Sequence, residues 1–171
     1  MPNVVSLHAR LAANEDQTDQ VPVVLVTIRH PSLSAPAYLS SDPTVRISAD
    51  PLVYGTRHQG IVYPFVLMGA VLPDDEKDSP PKTTLTLENV DSDMAKAIRS
   101  ITPGTYATVD MTVVLAGTPD IIEARYTNLR SVRGSYDAAQ VSLDISAEPL
   151  TAEPWPAGRM TVSRFPGLFA A

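Results

Sequence analysis

Residues 21–30, "VPVVLVTIRH", are apolar at nearly every position. A strand with one wet face alternates apolar and polar residues, so an unbroken β-branched run predicts a strand covered on both faces. Pro31, with no N–H to donate, closes it. "TTLTLENV" (83–90) has the other pattern: Leu85 and Leu87 alternate with Thr84, Thr86 and Glu88, the period of a half-buried strand. In "YATVDMTVVLA" (106–116) the same period puts Ala107, Val109, Met111, Val113 and Leu115 inward and Thr108, Asp110 and Thr112 outward. Residues 117–120 supply Gly, Pro and Asp for a turn into "IIEARYTNLRSV" (121–132), and "QVSLDIS" (140–146) follows with Val141, Leu143 and Ile145 inward. These three segments are predicted to form a meander. Shorter extended pieces fall at 37–39 and 44–47, and Pro64 demotes part of "GIVYPFVLMGAV" (60–71) to an edge or a bulge.

Two segments change period. Val4, Leu7, His8 and Leu11 predict a short amphipathic helix over 4–13 within an N-terminal arm, residues 1–20. "DSDMAKAIRSI" puts Met94, Ala97, Ile98 and Ile101 on one stripe, with Asp91, Ser92 or Asp93 as N-cap and "TPG" as terminator, which predicts a helix over 91–101. After Ser146 the periodicity fails. Pro149, Pro154, Pro156 and Pro166 interrupt both helix and ladder, so 147–171 reads as an extended, Pro-rich docking arm. The domain reading is therefore an N-terminal arm, a mainly β barrel or sandwich over 21–146 with about eight strands and one flanking helix, and a C-terminal arm.

Composition narrows the chemistry more than it suggests any. The 13 basic residues against 19 acidic ones give a net charge of −6 with no Lys/Arg cluster, so the electrostatic footprint of a nucleic-acid binder is missing. There is no cysteine, which excludes disulfides, thiolate catalysis, iron–sulfur clusters and Cys-ligated zinc. The N-terminal stretch has neither a signal-peptide pattern nor a membrane-length apolar run, and insertion of this chain into a membrane is not expected. His8, His30 and His58 share no metal-binding spacing, and no G-x-S-x-G elbow, P-loop or G-x-G-x-x-G occurs. Asp74, Asp75, Glu76 and Asp78 lack the alternation of a Ca²⁺ loop and include Lys77 among them, which favours a solvated loop between strands. Asp91 and Asp93 sit where helix caps belong, and with Glu88 they make a poor carboxylate pair. No cofactor and no catalytic constellation is expected.

What stands out is apolar residues in an unusual place. Trp155, Phe165, Leu168 and Phe169 lie in the C-terminal arm, where most chains fray into polar residues. Burying each contributes roughly 1.5–3 kcal/mol, enough together to hold the arm in a groove. The groove belongs either to the arm's own domain or to a neighbouring chain; with Arg164, these residues are the predicted protein interface.

"VPVVLVTIRHP", "LTLENVDSDMAKAIRSI", "VVLAGTPDIIEARYTNLRSV" and "EPWPAGRMTVSRFPGLF", in that order, resemble a minor-tail family of long-tailed bacteriophages and prophages. The match runs from about Val21 to Phe169, and its specificity lies in the ordered set and the R-F-P-G-L-F ending. The resemblance implies a structural component of the tail tip, similar to distal-tail proteins of the lambda M type. Those proteins have a tube-type β-sandwich or barrel with one flanking helix and assemble as a ring. It further implies a hexameric ring that joins the tail tube to the hub or baseplate and lines the DNA channel. Its partners would be other copies of itself, the tail tube protein, the hub protein and the tape measure protein. The chain would be assembled in the host cytoplasm and carried in the virion. The missing cysteines set it apart from the neighbouring lambda L-type tip proteins, which hold an iron–sulfur cluster. In this setting Asp74, Asp75, Glu76 and Asp78 face either the lumen or the next ring. The alternatives are a β-sandwich host-binding module and a tail-associated hydrolase.

Deleting residues 164–171 should leave the β domain folded, with an unchanged thermal midpoint, while abolishing assembly as read by native mass. A truncated chain that unfolds would show that the arm packs on its own core.

Overall fold

The computed structural model describes residues 5–70, 72–73, 82–88, 106–137, 140–147, 161, 163–164 and 167. The helix expected over 91–101 lies outside the described residues. In chain order the elements are α1 (Leu7–Asn14), β1 (Pro22–Arg29), β2 (Ala37–Ser40), β3 (Val45–Ala49), β4 (Leu52–His58), β5 (Ile61–Pro64), β6 (Leu67–Ala70), β7 (Lys82–Glu88), β8 (Thr108–Leu115), β9 (Thr118–Tyr136) and β10 (Gln140–Ser146). The protein is mainly β, and α1 is the single helix among the described residues. None of these helical residues forms a segment long and apolar enough to cross a membrane.

Seven strands form one antiparallel sheet in the order β2-β1-β8-β9-β10-β7-β6, and β3-β4-β5 form a smaller one. The expected meander is the centre of the large sheet, β8-β9-β10. This sheet curls into a half-barrel around one core. Val26 and Ile28 of β1, Leu39 of β2, Leu85 and Leu87 of β7, Val109 and Met111 of β8, and Val141, Leu143 and Ile145 of β10 all meet in one buried cluster. Strands from opposite ends of the sheet can share a cluster only if the sheet wraps around it. The curl brings its edges together. The N–H of Val66, just before β6, donates to the carbonyl of Ser40 at the end of β2 (3.0 Å).

The continuous apolar run of β1 has its explanation in a second cluster. Val23 and Leu25 point away from the barrel and pack with Tyr63 of β5 and Val114 of β8. The small sheet covers that face, so both faces of β1 are dry. β7 and β10 keep the strict alternation expected of them. β8 departs from it: Val114 is buried in the second cluster and Asp110 is buried rather than outward. The cause is β9, whose register slips opposite β8 between Val109 and Met111 and again on either side of Val114. Each slip is a bulge that bends the strand and re-aims side chains. The hairpin joining β8 to β9 is also tighter than the sequence suggested, with Leu115 paired to Thr118 and Pro119 and Asp120 already in the strand.

Pro64 ends β5, as an edge proline should, and opens a corner where the chain leaves the small sheet for the large one. The N–H of Phe65 donates to the carbonyl of Tyr54 (2.7 Å) before Val66 reaches Ser40. Gly55 makes the corner possible: a Cβ there would stand 2.1 Å from the carbonyl oxygen of Tyr63 and 2.9 Å from the Cα of Pro64. Gly55→Ala should therefore destabilise the protein by about 2 kcal/mol in urea unfolding, because backbone must move to admit the methyl. Gly69→Ala in β6, where the nearest atom would be 3.9 Å away, should be close to neutral and serves as the control.

Candidate functional site

The corner leaves a groove beside it. β2 is only four residues long and is an edge of the large sheet, while β4 and residues 64–66 stand alongside. Between them opens a space of about 660 Å³ whose walls include Leu33, Pro36, Leu39, Leu52, Tyr54 and Phe65. Among the described residues no charged side chain lines it. Leu39 is fully buried and forms the floor, whereas Leu52 is 62% exposed at the rim. The groove can bury apolar surface from another segment; its polar side chains are a serine and two tyrosines.

Buried polar contacts hold the walls in place. Ser40 Oγ and Thr56 Oγ1 lie 2.8 Å apart and tie β2 to β4, and Ser40 Oγ also accepts the N–H of Asp42 (3.1 Å). Asp42 accepts from the N–H and the hydroxyl of Thr44 (2.9 and 2.8 Å), which fixes the approach to β3. Tyr63 bridges the sheets: its hydroxyl lies 3.3 Å from Thr27 Oγ1, and its ring forms a T-shaped pair with that of Tyr38, 5.1 Å between centroids. At the far end of the small sheet, Gln59 and Gly60 both have positive φ (48° and 81°), the requirement of a two-residue hairpin turn. That turn docks on β9. His58 Nδ1 lies 2.6 Å from the carbonyl of Pro119 and must donate, since a carbonyl only accepts, and the N–H of Gln59 donates to Asp120 (2.6 Å).

The other buried acids are likewise committed. Glu123, the residue left over in the register slip opposite Val113 and Val114, accepts from the N–H and the hydroxyl of Ser6 (2.8 and 2.6 Å). Ser6 Oγ in turn accepts the N–H of Ala9 as the N-cap of α1 (3.1 Å). The helix is thus pinned at one point, while Leu7 and Leu11 of its apolar stripe stay exposed. Asp110 accepts the N–H of Asn128 (2.9 Å), a bulge residue with φ of 58°, and pairs with Arg29. That hydrogen bond raises the pKa of the guanidinium further, which keeps Arg29 cationic at any working pH. Among the described residues no three His, Cys, Asp or Glu side chains stand close enough to hold a metal.

Of the interface residues expected from sequence, Arg164 is exposed, in a turn closed by its N–H to the carbonyl of Thr161 (3.0 Å). Trp155, Phe165, Leu168 and Phe169 lie outside the described residues, as do Asp74, Asp75, Glu76 and Asp78. His8 sits on α1, His30 follows β1, and His58, read as a loop residue, is instead the buried end of β4. Sequence reasoning missed the groove, because its described walls come from three separate stretches with no common period. It also missed the anchors Glu123 and Asp110, which a strand pattern assigns to solvent.

The sequence profile of a family described as a domain of unknown function (DUF1833) matches residues 6–160. No curated protein matches the chain.

Glu123→Ala should release α1: amide exchange at residues 9–14 should accelerate to the rate of an unstructured segment, with a loss of about 1 kcal/mol in global stability. Glu123→Gln keeps one carbonyl acceptor and should show a smaller effect. Unchanged exchange in the alanine variant would mean that other contacts hold the helix.

Proposed function

The chain belongs to the DUF1833 family, and we propose that it is a structural subunit of a bacteriophage tail tip, a hexameric ring that joins the tail tube to the hub and surrounds the DNA channel. The ordered motifs of residues 21–169 support the phage-tail reading, and a curled, mainly β half-barrel is a fold suited to a tube or ring.

The observation that carries the proposal is the state of the strand edges. Monomeric β proteins blunt their edges with lysine, inward charges or a covering segment. Here β6 carries Leu67 at 53% exposure, β3 carries Val45 at 49% beside the exposed Arg46, and β2 borders a groove whose described lining is uncharged. Apolar edges of this kind are stable in solution when another surface covers them, and lateral contacts in a ring would do so. The net charge of −6 suits a wall past which DNA slides without being held, since a basic lining would trap phosphates through counterion release. In such a ring Asp74, Asp75, Glu76 and Asp78 are the densest source of that charge if their loop faces the axis.

Native mass spectrometry and negative-stain imaging test the assembly. The expected result is a closed ring of six 18.4 kDa chains, and antibody against the chain should label the tip of tails and not the shaft. A protein that stays monomeric at micromolar concentration and labels no particle would overturn the reading.

A further inference from the structure

We propose that the groove beside β2 receives the C-terminal segment of a neighbouring copy, with Phe165, Leu168 and Phe169 as its apolar anchors. This rests on the ring reading and assigns the contact that would link one subunit to the next.

The chemistry of the two surfaces matches. The groove has no charged residue among its described lining, and in "RFPGLFAA" (164–171) the only charged side chain is Arg164. A groove of about 660 Å³ is large enough to take several side chains. Pro166 fixes its own φ and has no N–H to desolvate, so less order is lost when this segment docks than when a flexible one does. Leu52 and Tyr54 at the rim, both exposed in the single chain, are placed to close over an inserted ring.

The neighbour, rather than the same chain, is the donor. Thr161, Ser163, Arg164 and Gly167 are all exposed, and none of them lines the groove. A Cβ built on Gly167 would meet nothing within 4 Å, so that residue borders open space. The connection is long enough to cross. The 14 residues that follow Ala147 up to the turn at Thr161 could span up to roughly 50 Å if extended, more than the diameter of a small domain. A segment that leaves one copy and fills a different surface on the next makes a heterologous contact, the kind that closes into rings.

The chain has no cysteine, so introduced pairs report cleanly. Leu52→Cys and Leu168→Cys, prepared in separate chains and mixed under mild oxidation, should give disulfide-linked dimers. The yield should be about tenfold above that of Leu168→Cys mixed with Val132→Cys, an exposed position on β9. With both cysteines in one chain, the product should be a ladder of linked chains; a monomer with an internal disulfide would overturn the proposal by showing docking in cis. Native mass on the same samples separates this inference from the ring reading. A closed ring that gives no Leu52–Leu168 disulfide overturns the groove and leaves the ring, whereas a ladder without closure supports the groove and overturns the ring. As a second variant, Leu52→Asp at the exposed rim should keep the melting temperature and lose assembly; assembly at the wild-type level would overturn the groove as the receiving site.

Discussion

The hydrogen bond from Val66 N–H to the Ser40 carbonyl joins the two ends of a seven-stranded sheet, and most of the fold's geometry follows from how the chain arrives there. An open sheet of this size would leave its concave apolar face wet. Curling buries that face, but only if β6 returns to lie near β2. The returning chain must first leave the small sheet, which it does through Pro64 and Phe65 while still bonded to Tyr54. Gly55 is needed because backbone crosses backbone at that point. Closure of the barrel core and attachment of the small sheet are therefore one event. The same crossing forms one wall of the groove.

β9 is the second organising element. It runs from the hairpin after β8 to Tyr136 and pairs β8 along its first part and β10 along its second. A regular strand of that length would not follow the curl. Its register slips provide the bend, and the extra residues are put to use: Pro119 and Asp120 receive the small sheet's hairpin, Glu123 receives Ser6, and Asn128 is fixed by Asp110. Each of these contacts fastens a separate part of the molecule to the same strand. Bulges thus serve both curvature and attachment here: Glu123 and Asp110 are buried and hydrogen-bonded at the slips, and Asp120 and Asn128 are hydrogen-bonded there while exposed.

This division also explains what could be read from the sequence. β1, β7 and β10 were legible because their burial follows local periodicity: a run dry on both faces for residues 22–29, strict alternation for the other two. The helix at the N-terminus was legible from its spacing, and its start was set by a cap. Asp110, Glu123 and the Pro119–Asp120 pair were not, since a bulge changes which face a residue occupies without changing its type. The groove was hidden for a different reason. It is made of the flanks of Leu33, Leu39, Leu52, Tyr54 and Phe65, residues that read individually as turn, strand or edge. The terminal segment was visible as an anomaly of composition, while the surface that would receive it needed the fold.

A groove with no charge among its described lining residues and a charge-poor, apolar C-terminal segment are each costly to leave in water, and the chain has two ways of removing them. It can fold the terminus into its own groove, which yields a stable monomer with nothing left to assemble. Or it can hold the two apart, so that each is covered only by another copy. The exposure of Thr161, Ser163, Arg164 and Gly167 fits the second arrangement. Pro149, Pro154 and Pro156 precede them in the sequence, and proline interrupts both helix and ladder. A loose groove or a flexible arm would permit docking in cis, and the apolar surface that drives assembly would be consumed within one chain.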